Sequence, residues 1–305
     1  MTRYLLALAL LTATFAPAQQ EGPTPTQTLV ILESNSHQNP TPQNLTLKLN
    51  GRDSTLTSVT PIPPAGVQIA LLIDDGLRTS VGRQISDIRN FVTTLPQGTE
   101  IFIGYMQNGR VVSAQDFTTD YAAAAKTVRI PLGTGGVSAS PYFCLSDFAK
   151  RWPSSSSEEQ THKARFVLMI TNGVDPYNGS VSPMNQNSPY VDSAIRDSQR
   201  AGIAVYSIYY TDAGIRGGAA SFSGQNYLAQ VSEATGGRAY FQGTGNPVSM
   251  GPFLNQFKGS IAESYAATFT APGNADLVRI KFSTNLPKTR VHAPAEVRPG
   301  TRITP

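Results

Sequence analysis

Cysteine is almost missing: the single thiol in 305 residues is Cys144. No intrachain disulfide can form, so a packed core has to carry the stability. A lone cysteine within an apolar stretch reads as a small core residue. No histidine stands in a recognisable pairing with it, so it does not read as a catalytic thiol. Histidine is scarce too. His37, His162 and His292 are far apart and lie in polar or proline-rich contexts, which gives no metal-ligand cluster. Charged residues make up only 14% of the chain, with a net charge of +4, and this is not a strongly basic nucleic-acid binder. Beyond the first twenty residues no apolar run could span a bilayer. The GTGG run at 133–136 has no following Lys-Ser/Thr and does not directly follow the first strand of the main domain, so it is neither a phosphate loop nor a dinucleotide fingerprint. A G-x-S-x-G nucleophile turn is absent.

The beginning of the chain is distinctive. Arg3 precedes an apolar stretch at 4–15, and Ala16-Pro17-Ala18 has the small-x-small pattern of a signal-peptidase site. We expect a signal peptide at 1–18 and an exported chain, periplasmic or extracellular, without a stable membrane span after cleavage. The competing reading is an uncleaved anchor. At the other end, Arg279, Lys281, Lys288, Arg290, Arg298 and Arg302 face only Glu296, a basic stretch that suits the solvated side of strands or an anionic partner.

Between these ends the pattern changes twice. Residues 19–27, rich in Pro and Thr, read as a linker. Residues 28–63 read as a β segment, with Leu45, Leu47 and Leu49 alternating and Asn50-Gly51 as a hairpin turn. From residue 64 strands alternate with helices. The runs at 67–74 and 165–171 are continuously apolar, as strands covered on both faces are. Ile85, Ile88, Val92 and Leu95 recur at helical spacing. Gln107-Asn108-Gly109 links two strands so tightly that they must be antiparallel. The expected fold is α/β: a doubly wound, mostly parallel, Rossmann-like sheet with one antiparallel edge strand, over 64–264. A small flanking β unit comes from the N-terminal segment and from 265–295, and 296–305 reads as a loose tail.

Ligands of such sheets bind beyond the carboxyl ends of the strands. The first apolar strand ends in Asp74-Asp75-Gly76-Leu77-Arg78, and the later one ends in Thr171-Asn172-Gly173-Val174-Asp175. If those strands are neighbours, both tips share one crevice. The polar loop at 175–190, carrying Tyr177, Met184 and Tyr190, would lie beside it.

This order of elements resembles the von Willebrand factor type A domain, and more narrowly the exported bacterial proteins related to it. The resemblance covers residues 28–295 and is strongest over 67–210. In that family the strand tips often form a metal-ion-dependent adhesion site, with a D-x-S-x-S motif, a Thr from a middle loop and an Asp from a later tip. It implies Asp74 as the first carboxylate. The first serine position falls on Gly76, the second on Arg78, the loop threonine on Val137 with Ser138 beside it, and the later Asp on Asn172. The site is therefore degenerate. Two readings stay open: a weak Mg²⁺ or Ca²⁺ held by Asp74, Ser138, Asn172 and Asp175, or no cofactor, with Arg78 or water satisfying Asp74.

The resemblance implies a non-catalytic binding or adhesion module that engages a protein or cell-surface ligand through Asp74, Asp75, Arg78, Asn172, Asp175 and Tyr177. The alternatives are a structural or assembly protein of the cell envelope and, third, a hydrolase. Adjacent carboxylates on a strand point to opposite sides and make a poor acid/base pair, so an enzyme is not expected.

Overall fold

The computed structural model describes residues 22–133, 140–153, 160–175, 188–210, 217–243 and 245–304, with backbone alone for 217–222. The expected signal peptide, Ser138, Tyr177 and most of the loop at 175–190 lie outside the described residues. In chain order the elements are β1 (Pro23–Glu33), β2 (Leu45–Leu49), β3 (Arg52–Ser54), β4 (Leu56–Pro61), β5 (Val67–Asp74), α1 (Ile85–Thr93), β6 (Glu100–Gln107), β7 (Arg110–Thr118), α2 (Tyr121–Thr127) and α3 (Pro141–Lys150). They continue as β8 (Thr161–His162), β9 (Ala164–Thr171), α4 (Val191–Arg200), β10 (Ile203–Tyr209), α5 (Gly217–Ala234), β11 (Ala239–Tyr240) and α6 (Gly251–Ala262). The chain closes with β12 (Ser264–Pro272), β13 (Val278–Thr284), β14 (Arg290–His292), β15 (Glu296–Val297) and β16 (Arg302–Ile303).

The central sheet has the order β11-β10-β9-β5-β6-β7, parallel except where β7 returns against β6. All eight residues of β5 and of β9 are buried, because helices cover both faces. Alternation along each strand sends side chains to opposite sides. Ile69, Leu71 and Ile73 pack with Ile88, Phe91 and Val92 of α1 and Leu254, Phe257 and Ile261 of α6. Ala70 and Leu72 pack instead with Leu145 and Phe148 of α3 and Leu228 and Val231 of α5. Each such side chain contributes roughly 1.5–3 kcal/mol through burial.

The two ends of the chain build the flanking β unit together. One sheet runs β14-β1-β12-β4 and the other β15-β13-β2-β3. They enclose Val30, Leu32, Leu47, Phe269, Ile280 and Phe282. Both expected hairpin turns form as left-handed pairs: Asn50 and Gly51 have φ of 48° and 82°, and Asn108 and Gly109 have φ of 47° and 76°. That geometry matches the twist of the flanking strands.

Two expectations need correction. The expected linker at 19–27 is strand from Pro23 onward, paired with β12 from Pro23↔Pro272. β14 reaches only Ile31–Glu33, so the start of β1 is an edge in its sheet, where prolines are tolerated. The expected loose tail is ordered over 296–304: β16 pairs in parallel with β8, Val297 and Ile303 are buried, and Gln27 bonds both the Thr301 carbonyl and the Ile303 amide at 2.7 Å. Two isolated apolar residues carry no visible period. α5 runs from Gly217 although its Gly- and Ser-rich first turns have poor intrinsic helix propensity.

Candidate functional site

β5 and β9 are neighbours, paired in parallel from Val67↔Ala164 to Ile73↔Ile170. Their tips therefore meet. Thr171 Oγ1 donates to Asp74 Oδ2 at 2.7 Å, and the Gly76 amide donates to Asp74 Oδ1 at 2.9 Å. Asp74 is buried, and these two bonds use one lone pair on each oxygen. The Gly173 amide donates to Thr171 Oγ1 at 3.1 Å, and the Tyr142 hydroxyl of α3 donates to the Gly173 carbonyl at 2.7 Å. Burial, with the charges of Asp175 and Asp74 among the nearby groups, pushes the Tyr142 phenol well up, so it stays a donor.

Asp75 has a separate role. It is fully buried and receives Arg129 Nη1 on Oδ1 at 2.7 Å and Nη2 on Oδ2 at 3.0 Å. The Leu132 amide adds a bond to Oδ1 at 3.0 Å, and Gln107 Nε2 donates to Oδ2. Burial alone would raise this carboxyl. The hydrogen bonds from Arg129, Leu132 and Gln107, with the guanidinium charge, outweigh burial and hold the Asp75 pKa below the ordinary carboxylate range. Arg129 lies with Cζ 3.8 Å from the centre of the Tyr105 ring, and its own amide donates to the Tyr105 hydroxyl at 2.6 Å. One carboxylate thus ties together the tip of β5, the end of β6 and the loop that leaves α2.

The other expected residues fall around the same crevice. Asn172 Oδ1 accepts the Val174 amide at 2.9 Å, closing a local turn. Asp175 is buried and accepts Ser188 Oγ at 2.5 Å. Arg78 is exposed at the start of the turn Thr79–Gln84. An arginine does grip a strand-tip aspartate, but the pair is Arg129 with Asp75, two residues the sequence did not link. Arg129, Gln107 and Thr171 were not singled out. The available signal was a second aspartate on a buried strand end, which needs donors from elsewhere in the chain.

Two features bear on chemistry. The Cys144 thiol, in the first turn of α3, is buried and pushed up to about 12, by burial first and then by the charge of Asp74, so it is a thiol at neutral pH. The histidines lie elsewhere: His37 bonds Glu263, His292 bonds Glu33, and His162 bonds the Lys163 carbonyl.

A hard divalent cation wants about six oxygen ligands. Among the described residues Gly76 and Arg78 bring no oxygen side chain, the Asn172 oxygen takes an amide, and both Asp75 oxygens are engaged by donors. No group of three or more His, Cys, Asp or Glu among the described residues could hold one metal ion. The described residues therefore do not fit the metal that the resemblance implies. Ser138 lies outside them.

Large apolar side chains are exposed around this polar centre. Among the described residues six large apolar side chains are exposed, between 43% and 94%: Val112, Ile130, Leu132, Phe143, Phe241 and Val248. All six belong to the carboxyl edge of the central sheet. Val112 sits opposite Tyr105, two residues from the end of β6. Ile130 and Leu132 flank the loop that Asp75 holds, and Ile130 lies against Gly82 of the turn after β5. Phe143 opens α3 and meets the Tyr190 ring edge-on, centroids 5.1 Å apart. Phe241 directly follows β11, and the Val248 carbonyl accepts Gln84 Nε2 at 3.2 Å.

No protein-family model matches the chain, and no curated protein does. Solved structures do. The chain is similar to an aerotolerance-related membrane protein from Bacteroides fragilis (12% identity, TM-score 0.44, 64% of this chain and 98% of that one). It is also similar to a von Willebrand factor type A structure from Catenulispora acidiphila (10%, 0.45, 93% and 75%). A third is the manganese-loaded TRAP protein of Plasmodium vivax (11%, 0.46, 81% and 98%). At these identities the likeness is one of fold. The resemblance named from the sequence, to the von Willebrand factor type A domain, recurs among these structural neighbours.

Proposed function

We propose that this chain is an exported, non-catalytic binding module that holds a protein or cell-surface partner against the carboxyl edge of its central sheet, without a metal ion. The observation that carries the reading is the placement of all six exposed large apolar side chains, among the described residues, at that one edge. Exposed large apolar side chains confined to one end of a domain, around a polar centre, suit an interaction face. Internal pairing supports the metal-free part: Asp74 and Asp75 receive their donors from Gly76, Thr171, Arg129, Gln107 and Leu132. The protonated thiol of Cys144 and the distant histidines support a non-catalytic role.

The test is site-specific photocrosslinking in the producing cell. A benzophenone side chain is placed at Leu132 or Phe143, and as a control at Gln97, exposed in the turn before β6 at the opposite edge. Discrete adducts from 132 and 143 and none from 97 are expected. Adducts from 97 alone, or from none of the three, would refute the reading.

A further inference from the structure

The charges at this edge are sorted by sign. Among the described residues its carboxylates are mostly engaged: Asp74, Asp75 and Asp175 are buried, and half-buried Asp87 accepts Ser249 Oγ at 2.6 Å and the Gly251 amide at 3.2 Å. Among the described residues, Asp192 in the first turn of α4 is the exposed acidic residue there. The cations are turned outward. Arg78 and Arg83 are exposed on the turn after β5, Arg110 is exposed at the first position of β7, and the Arg129 side chain is 40% exposed while bound to Asp75. They are interleaved with the apolar residues. Arg83 follows Gly82, against which Ile130 packs, and the Arg110 carbonyl lies 3.7 Å from Cys144 Sγ, next to Phe143.

Resting on the proposed binding face, we infer that its partner is an acidic polypeptide segment carrying apolar side chains, selected by arginines. The apolar residues supply the affinity through burial. Exposed ion pairs add little affinity each, so the arginines act mainly on orientation, association rate and the exclusion of basic partners. A polypeptide fits better than a lipid surface. The apolar tips come from separate segments around a polar centre, where the Asn172 side chain is half-buried, and they do not form the continuous apolar stripe of an interfacial element.

The test is a selection of displayed random twelve-residue peptides on the full chain. Affinities of recovered peptides are then measured by fluorescence anisotropy on wild type, the double variant R83E/R110E and L132E, each confirmed folded by its urea midpoint. The expected result is peptides enriched at least twofold in Asp and Glu and carrying apolar residues. Binding should fall at least tenfold in R83E/R110E and in L132E, and weaken with added salt. Neutral or basic peptides, or affinity unchanged in R83E/R110E but lost in L132E, would overturn the acidic partner and leave the face intact. Affinity unchanged in L132E as well would overturn the face itself. A selection yielding no binder counts against the inference. So does wild type that sediments with phosphatidylglycerol/phosphatidylcholine vesicles through the same arginines while ignoring acidic peptides.

Discussion

The Arg129 guanidinium, 54 residues further along the chain, grips the Asp75 carboxylate with two nitrogens, at 2.7 and 3.0 Å. The pair holds the tip of β5 to the loop that presents Ile130 and Leu132. Arg129→Ala should therefore leave a buried carboxylate without its cation. Breaking a fully buried pair costs about 3–5 kcal/mol. Arg129 is 40% exposed, and solvent screening reduces this to about 1–3 kcal/mol. Arg129→Lys keeps the charge but loses the fork and should fall between. Urea unfolding at neutral pH measures both, with an unchanged slope expected.

The same pair sets an acid response. The Asp75 pKa is lower folded than unfolded, so its contribution to stability is complete above the unfolded value, about 3.9. It is lost as pH falls through the lower, folded value. The stability gap between wild type and Asp75→Asn should be constant from pH 7 to about 5 and narrow below about 4. A gap that widened in acid would contradict the assignment.

His162 should respond in a different window. Burial, and then the charge of Arg165, lowers its pKa to about 4. Its ring packs over Gly202, where an added Cβ would come within 2.8 Å. The unfolded chain takes up a proton near pH 6.5 and the folded ring resists until about 4, so stability falls as pH drops between these values. The loss is about 3 kcal/mol in order of magnitude. His162→Gln should lack this slope, as read from urea midpoints between pH 7.5 and 4.5.

Gly224 of α5 closes the crevice from the side. A Cβ there would overlap the Asn172 carbonyl oxygen, a backbone atom with no flexible end to yield. Gly224→Ala should displace the β9 tip and cost about 1–3 kcal/mol. The near-ultraviolet signal of Tyr142, bonded to the Gly173 carbonyl, should change with it. An alanine variant with wild-type stability and spectrum would show that α5 and the tip are loosely packed.

The scaffold was legible because it is written locally. β5 and β9 are unbroken apolar runs, and Asn50-Gly51 and Asn108-Gly109 carry their left-handed turns in two letters. The position of the crevice followed once those two runs were read as neighbours. What held the crevice together was not legible. Arg129 sits in a helix-exit loop with no periodic pattern, and its partner is chosen by folding. The ordered tail was hidden for the same reason: Thr301 and Ile303 acquire their role only when Gln27 arrives from the other end of the chain.

The central claim is a binding face held by Asp75 and Arg129 in place of a divalent cation. Its most direct test is calorimetric titration of Mg²⁺, Ca²⁺ and Mn²⁺ into the full chain, with thermal unfolding run in parallel. A ligand at one hundred times its Kd would stabilise the folded state by about 2.7 kcal/mol. The account predicts no saturable heat and no shift in unfolding temperature with any of the three. Saturable binding that disappears in Asp74→Ala would contradict it and restore a metal to the crevice.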